Sequence, residues 1–160
     1  MPWPKRVSCL AYDTWGRANI AMQQTQHVVT IRTGGQGLHE VTDEIEAWLT
    51  KQPVLQGLLT IFIRHTSASI LIQENADPDV QRDLEAFFKK LVPEDLRLYR
   101  HTAEGPDDMP AHIKGALTQT QISIPISQGQ LGLGRYQGIY VFEHRSRPHA
   151  RELLLHLIGQ

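Results

Sequence analysis

The chain has 160 residues, 41% of them hydrophobic, which suits one domain able to bury a core without a metal or disulfide staple. With 16 basic residues against 17 acidic ones the net charge is -1, which argues against a duplex-binding surface, because neutralising phosphates needs a clustered positive excess. The single cysteine, Cys9, rules out an internal disulfide framework, and no apolar run nears the roughly 20 residues of a spanning helix, so no nucleic acid, no membrane and a cytoplasmic location are expected.

Residues 1–21 show neither helical nor strand periodicity and contain two prolines, so an N-terminal extension is expected there, with the domain over 22–160. QHVVTIRT is rich in β-branched residues and ends at Gly34-Gly35, which predicts a first strand closed by a turn. EVTDEIEAWL sets Val41, Ile45, Trp48 and Leu49 on one helical face, with Thr42 or Asp43 as N-cap. GLLTIFIR, residues 57–64, is a continuous apolar run of the kind a central strand uses, and ASILIQE predicts another strand after His65-Thr66-Ser67. The chain then turns at ENADPD, where Asp77 or Asp79 caps a helix bearing Val80, Leu84, Phe87, Phe88 and Leu91, ended by Pro93.

Three further strands are predicted from TQTQISIPIS, GIYVFEH and RELLLHLI, with Pro125 marking an edge or a bulge. Strands and helices come in blocks without βαβ alternation. The expected class is therefore α+β, a single compact domain with a largely antiparallel sheet and two main helices.

The segment HTAEGPDDMPAHIKGAL, residues 101–117, is too polar and too interrupted by proline for a core. Its density of donors and acceptors at His101, Glu104, Asp107, Asp108 and His112 is of the kind that metal binding or phosphate handling uses, although a solvated loop is the plainer reading. The spacing of the two histidines matches no short zinc signature. Asp108 or Pro110 starts a short helix over AHIKGAL, whose N-terminal amides and Lys114 suit an anion. His65 reads equally as a buried imidazole bonded to backbone, and Asn75, Asp77 and Asp79 as a turn and helix cap. Glu74 ends a predicted strand with no structural need for charge, though exposure explains it cheaply. GQLGLGR lacks the strand-to-helix setting of a dinucleotide loop, so no nucleotide cofactor is expected. EHRSRPHAR, residues 143–151, fits a phosphate pocket and a solvated hairpin equally well.

HTSASILIQENADPDV, HTAEGPDDMPAHIKGAL, IPISQGQLGLGRYQGIYVFEHR and VTDEI together resemble the YjbQ family over about residues 22–160. The resemblance implies a compact α+β protein that forms a homotrimer, gathers its polar motifs into a pocket and has thiamine-phosphate synthase activity as a secondary property. Motif by motif, it carries His65, Asn75 and Asp77 into the site, together with His101, Glu104, Asp107, Asp108, His112 and Lys114, and adds Gln137, Glu143 and Arg151. Where the family often reads T-W-Q-G, this chain has Arg135-Tyr136-Gln137-Gly138.

Joining a pyrimidine diphosphate to a thiazole phosphate expels pyrophosphate, which needs cationic help and ordered substrates. On this reading His65, His101 and His112 hold a divalent metal, zinc-like or else magnesium or manganese. Asn75, Asp77, Glu104, Asp107, Asp108 and Glu143 serve the catalytic step, and Lys114, Gln137 and Arg151 receive the phosphorylated substrate. A metal-dependent hydrolase or phosphotransferase, and a non-catalytic metal or ligand binder, are the alternatives.

Overall fold

The structure is a computed structural model that describes residues 21–160, so Cys9 and all but Ala21 of the expected extension lie outside the described residues. Two antiparallel sheets form the frame. The larger contains β1 (Gln23–Thr33), β8 (His149–Gly159), β3 (Gln56–Ile63), β5 (Gln121–Ser127) and β6 (Gln130–Leu131), in that order. The smaller has β7 (Gln137–Glu143) between β2 (Gly37–Glu40) and β4 (Ala68–Glu74). The α+β class holds, but the expected single sheet is two sheets, and the short β2 follows the predicted Gly-Gly turn at once.

Three helices, not two, accompany the sheets: α1 (Thr42–Leu49), α2 (Pro78–Leu91) and α3 (Asp108–Leu117), with a 3-10 turn at Leu96–Leu98. The third was foreshadowed only as a short helix in the polar segment. Val41 rather than Thr42 or Asp43 is the N-cap of α1, because the Thr42 hydroxyl is occupied elsewhere, accepting from the Ile139 amide at 2.9 Å and donating to Glu40. Asp77 caps α2 by accepting from the Asp79 amide at 2.9 Å, with Pro78 in the first turn, where its missing N–H is harmless. Among the described residues no helix is long and apolar enough to cross a membrane.

The alternation of strand side chains builds the core. Leu59, Ile61 and Ile63 of β3, Leu153, Leu155 and Leu157 of β8, and Ile122, Ile124 and Ile126 of β5 face inward, against Ile70, Ile139 and Val141 of the smaller sheet and Ile45 and Leu49 of α1. Each such side chain contributes about 1.5–3 kcal/mol through burial. β3 is central to its sheet, pairing with both β8 and β5, yet Leu58 and Phe62 are each 41% exposed. Its apolar run therefore serves one buried face and one open one. Val28 and Ile158 share the open face, because Val28 pairs with Leu154, which pairs with Phe62, while Ile158 pairs with Leu58. Pro125 lies opposite Leu58 in β5, where its carbonyl accepts from the Gly132 amide at 2.7 Å and its lack of an N–H is tolerated beyond the end of the short β6 pairing.

Candidate functional site

Helix α3 carries the centre of the polar segment. Asp108 and His112 are one turn apart and so share a face, and the loop before the helix brings His101 back to them. His101 Nε2 lies 2.8 Å from Asp108 Oδ2, His112 Nε2 lies 3.5 Å from the same oxygen, and the two imidazole rings meet edge to face at 5.8 Å between centroids. One ligand atom from each of His101, Asp108 and His112 falls within 4.8 Å of the others. A tetrahedral zinc site has ligand-to-ligand edges of about 3.3 Å, so small side-chain rotations close this set on a cation. Two imidazoles and one carboxylate suit zinc, iron or manganese and leave coordination positions open.

Gly115 explains why α3 lies where it does. A Cβ there would stand 2.9 Å from the Thr66 carbonyl oxygen, so only glycine lets the helix approach the loop joining β3 to β4 this closely. His112 and His65 line one recess of about 320 Å³, together with Ala68 and Ala116.

Asp107 and Asp108 are both buried, and their charge is balanced by Arg145, which bonds Asp107 Oδ2 from Nε at 3.1 Å and Asp108 Oδ1 from Nη1. That leaves Asp108 Oδ2 to the histidines. Burial alone would raise the Asp107 carboxyl, but the Ser146 amide and the Arg145 guanidinium outweigh it and hold the group below the ordinary aspartate range. Glu104 takes part through its backbone, its carbonyl accepting from Arg145 Nη2 at 2.9 Å, while the residue itself is exposed.

A second buried group adjoins the first. The Glu143 side chain is fully buried at the end of β7 and accepts from Arg151 Nε at 2.7 Å, from Arg151 Nη2, from the Thr33 hydroxyl at 2.8 Å and from the Arg145 amide at 2.9 Å. Arg145 thus ties the two groups together, side chain to one and backbone to the other. Arg151 is expected to receive phosphate, but it is 4% exposed and committed to Glu143. His65, expected among the metal ligands, stands outside the three-ligand set. Its Nε2 accepts from the Glu152 amide at 2.8 Å, and its Nδ1 faces Arg151 Nη1 at 3.5 Å. Burial and then the Arg151 charge lower its pKa, so the ring is neutral around pH 7.

Three expected residues are not brought to this end of the sheet. Glu74 pairs with Gln137 and Ala68 with Glu143, so Asn75, Asp77 and Gln137 sit at the far end of β4 and β7, about 20 Å away at 3.3 Å per residue. Asn75 there donates to Glu40 Oε1 at 3.3 Å, Asp77 caps α2, and Gln137 Oε1 accepts from the Gly134 amide at 2.7 Å. Tyr140 belongs to that end: its phenol donates to Glu40 and accepts from Gln81 at 3.0 Å, and burial followed by the Glu40 charge pushes its pKa up to about 12. Arg135 covers the exposed Tyr136 ring at 5.4 Å.

Residues 27–160 match the profile of the UPF0047 protein YjbQ-like family. The chain belongs to this family. A UPF0047 protein of Synechocystis sp. is 54% identical over 138 residues, covering 86% of this chain and 94% of the relative. The UPF0047 protein YjbQ of Salmonella typhimurium is 41% identical, with 84% and 98% covered. Among solved structures, an uncharacterized conserved YjbQ/UPF0047 protein of Clostridium acetobutylicum superposes with a TM-score of 0.72 at 33% identity, covering 81% of this chain and 97% of its own. A YbjQ-like protein of unknown function from Sulfolobus solfataricus shares the fold with a TM-score of 0.79 at 20% identity, covering 88% and 100%.

Other YjbQ-fold residues that the pattern did not single out are Thr33, Ser69 and His144, all nearly inaccessible. Inward alternation from Ile31 marks Thr33 as a core-facing polar residue, but nothing local distinguishes His144 from its neighbours in EHRSR. His144 Nε2 shares a 3.0 Å hydrogen bond with Ser69 Oγ, and its Nδ1 has no partner. Burial first, then the Lys114 and Arg151 charges, lowers its pKa to about 3.

Proposed function

We propose that this YjbQ-family chain is a small-molecule enzyme that acts on a phosphorylated substrate with the help of a divalent metal held by His101, Asp108 and His112. The observation that carries the reading is the convergence of three ligand atoms within 4.8 Å at the start of α3, beside a recess of about 320 Å³ large enough for part of a small substrate. Such a cation would supply electrostatic stabilisation to phosphate or pyrophosphate oxygens. His101 and His112 would orient through Asp108; Arg145, itself bonded to Asp107, would aim that carboxylate, and His65 would line the recess as a neutral imidazole. Glu143 and Arg151 hold the backbone at Arg145 and so act as positioning residues.

The thiamine-phosphate synthase-like coupling implied by the family resemblance is the first reaction to assay, as a secondary activity. Hydrolysis or transfer of a phosphate ester at the same centre is the alternative, favoured by the coordination positions that three ligands leave open. A homotrimer is also proposed. The exposed apolar face of Val28, Leu58, Phe62 and Ile158 is a surface that association would bury, and a neighbouring copy could bring Asn75, Asp77 and Gln137 to a site they do not reach within one chain.

Protein supplied with zinc, manganese or magnesium should turn over one member of a panel that includes pyrimidine diphosphate with thiazole phosphate and simple phosphomonoesters, and His112→Ala should lose both the metal and the turnover. Stoichiometric metal binding without turnover would favour a binding module. Failure to bind any of these metals would overturn the metal reading.

A further inference from the structure

Lys114 does not face the three-ligand cluster. It lies two residues beyond His112, about 200° round the helix, and so projects from the opposite side of α3. There it lines a separate cavity of about 360 Å³ walled by the loop after β1, by α2 and by the end of β7. Lys114 is 4% exposed and has no hydrogen-bond or ion-pair partner among the described residues. Burial lowers its pKa, and the opposite charges that act on it, Glu94 and Asp107, do so through space rather than through a direct bond, so its donors are open to an anion in the cavity.

Its other donors agree. His144, 1% exposed, lines the same cavity and carries the unpartnered Nδ1. When the Ser69 hydroxyl donates to Nε2, the neutral ring bears its proton on Nδ1 and offers a buried N–H. Arg82 and Lys89 of α2 stand at the exposed rim, with Arg82 held by Asp79 at 2.6 Å. Of the two carboxylates in the lining, Glu143 is taken by Arg151, and Glu85 accepts from the Leu38 amide at 2.9 Å through one oxygen. An anion finds here a buried ammonium, a buried imidazole nitrogen without a partner and two rim cations.

We propose that this cavity is a binding site for a small phosphate-bearing ligand, in which Lys114 is the charge anchor and His144 Nδ1–H an orienting donor. The proposal shares with the preceding section only the anionic character of the ligand and does not depend on the metal. Several positive groups around a cavity of this size suit the divalent charge of a phosphoryl group better than a single carboxylate. The Phe142 ring, 4.5 Å from His144 between centroids, adds an apolar part to the lining.

The test is titration of inorganic phosphate into isotopically labelled full chain at constant ionic strength, read by the side-chain nitrogen signals of Lys114 and His144. Wild type should show both signals shifting together and saturating at millimolar phosphate, and the Lys114→Met variant should weaken binding by about 10- to 100-fold, as loss of a charge-assisted contact does. Because the variant removes an unpaired buried charge at nearly constant volume, its melting temperature without phosphate should equal or exceed that of wild type. Lys89→Gln, altered only at the rim, should weaken binding by a smaller factor and supplies the test if Lys114→Met fails to fold. His112→Ala should leave the phosphate titration unchanged while abolishing metal uptake, so failure of one site is separable from failure of the other. Unmoved signals in wild type, or equal affinity in wild type and both variants, would overturn the proposal.

Discussion

Replacing Arg151 with methionine tests the buried polar scaffold. The variant keeps much of the side-chain volume but leaves the fully buried Glu143 carboxylate with only two neutral donors, the Thr33 hydroxyl at 2.8 Å and the Arg145 amide at 2.9 Å. Breaking a buried pair by removing one partner destabilises by about 3–5 kcal/mol. For a domain of this size each kcal/mol is worth about 2–4 °C, so the melting temperature should fall by about 6–20 °C. Urea unfolding at fixed protein concentration gives the free energy directly and keeps any association constant.

The pH dependence carries the sharper sign. In wild type, burial raises the Glu143 carboxyl, but Arg151, the Arg145 amide and Thr33 outweigh it and hold the group below its ordinary value. A depressed carboxyl contributes stability that is present above the unfolded value and is lost as pH falls through the folded one. Without Arg151, burial dominates and the folded value rises above the unfolded one. The variant's deficit should therefore shrink as pH falls towards and through the unfolded glutamate value, and Glu143→Gln combined with Arg151→Met should recover part of the loss. A single variant that loses less than about 1 kcal/mol, the size of an exposed pair, with unchanged pH dependence would refute the account of Glu143 as a buried charge dependent on Arg151.

His144 should show a flat imidazole nitrogen signal from about pH 5 to 8, since its folded pKa is about 3 against an ordinary 6.5. The unfolded chain binds that proton first, so the stability from this residue is full above the unfolded value and declines as pH drops below it; a midpoint near 6.5 in the folded protein would contradict its burial. Asp77→Ala should cost about 1 kcal/mol in urea unfolding by deleting the cap of α2, with metal uptake unaffected. Gly115→Ala should push α3 away from the Thr66 carbonyl and weaken metal uptake more than stability, measured by elemental analysis and thermal melting on the same sample. Light scattering should report about three times 18.2 kDa, and Phe62→Glu on the open face of β3 should lower that mass; a monomer at micromolar wild-type protein would refute the proposed homotrimer.

Local periodicity was enough to place most elements. The β-branched alternation around Val28–Ile31, the apolar run of β3 and the capped pattern after Asp77 reappear as β1, β3 and α2 because each depends on neighbours a few residues apart. The grouping of polar residues in one segment likewise exposed His101, Asp108 and His112, since a seven-residue return and a single helical turn suffice to join them. What closes over Lys114 on its side of α3, why Arg151 answers Glu143 rather than a ligand, and why Asn75, Asp77 and Gln137 stand apart could not be read in this way. Those outcomes depend on strand register and on how the elements pack: Glu74 lies opposite Gln137, and Arg151 of β8 reaches Glu143 of β7 although the two strands belong to different sheets. His144 shows the reason most plainly: nothing in EHRSR marks it, and only the pairing of β7 with β4 and the approach of α3 set its ring against Ser69 in the cavity that Lys114 lines and leave Nδ1 without a partner.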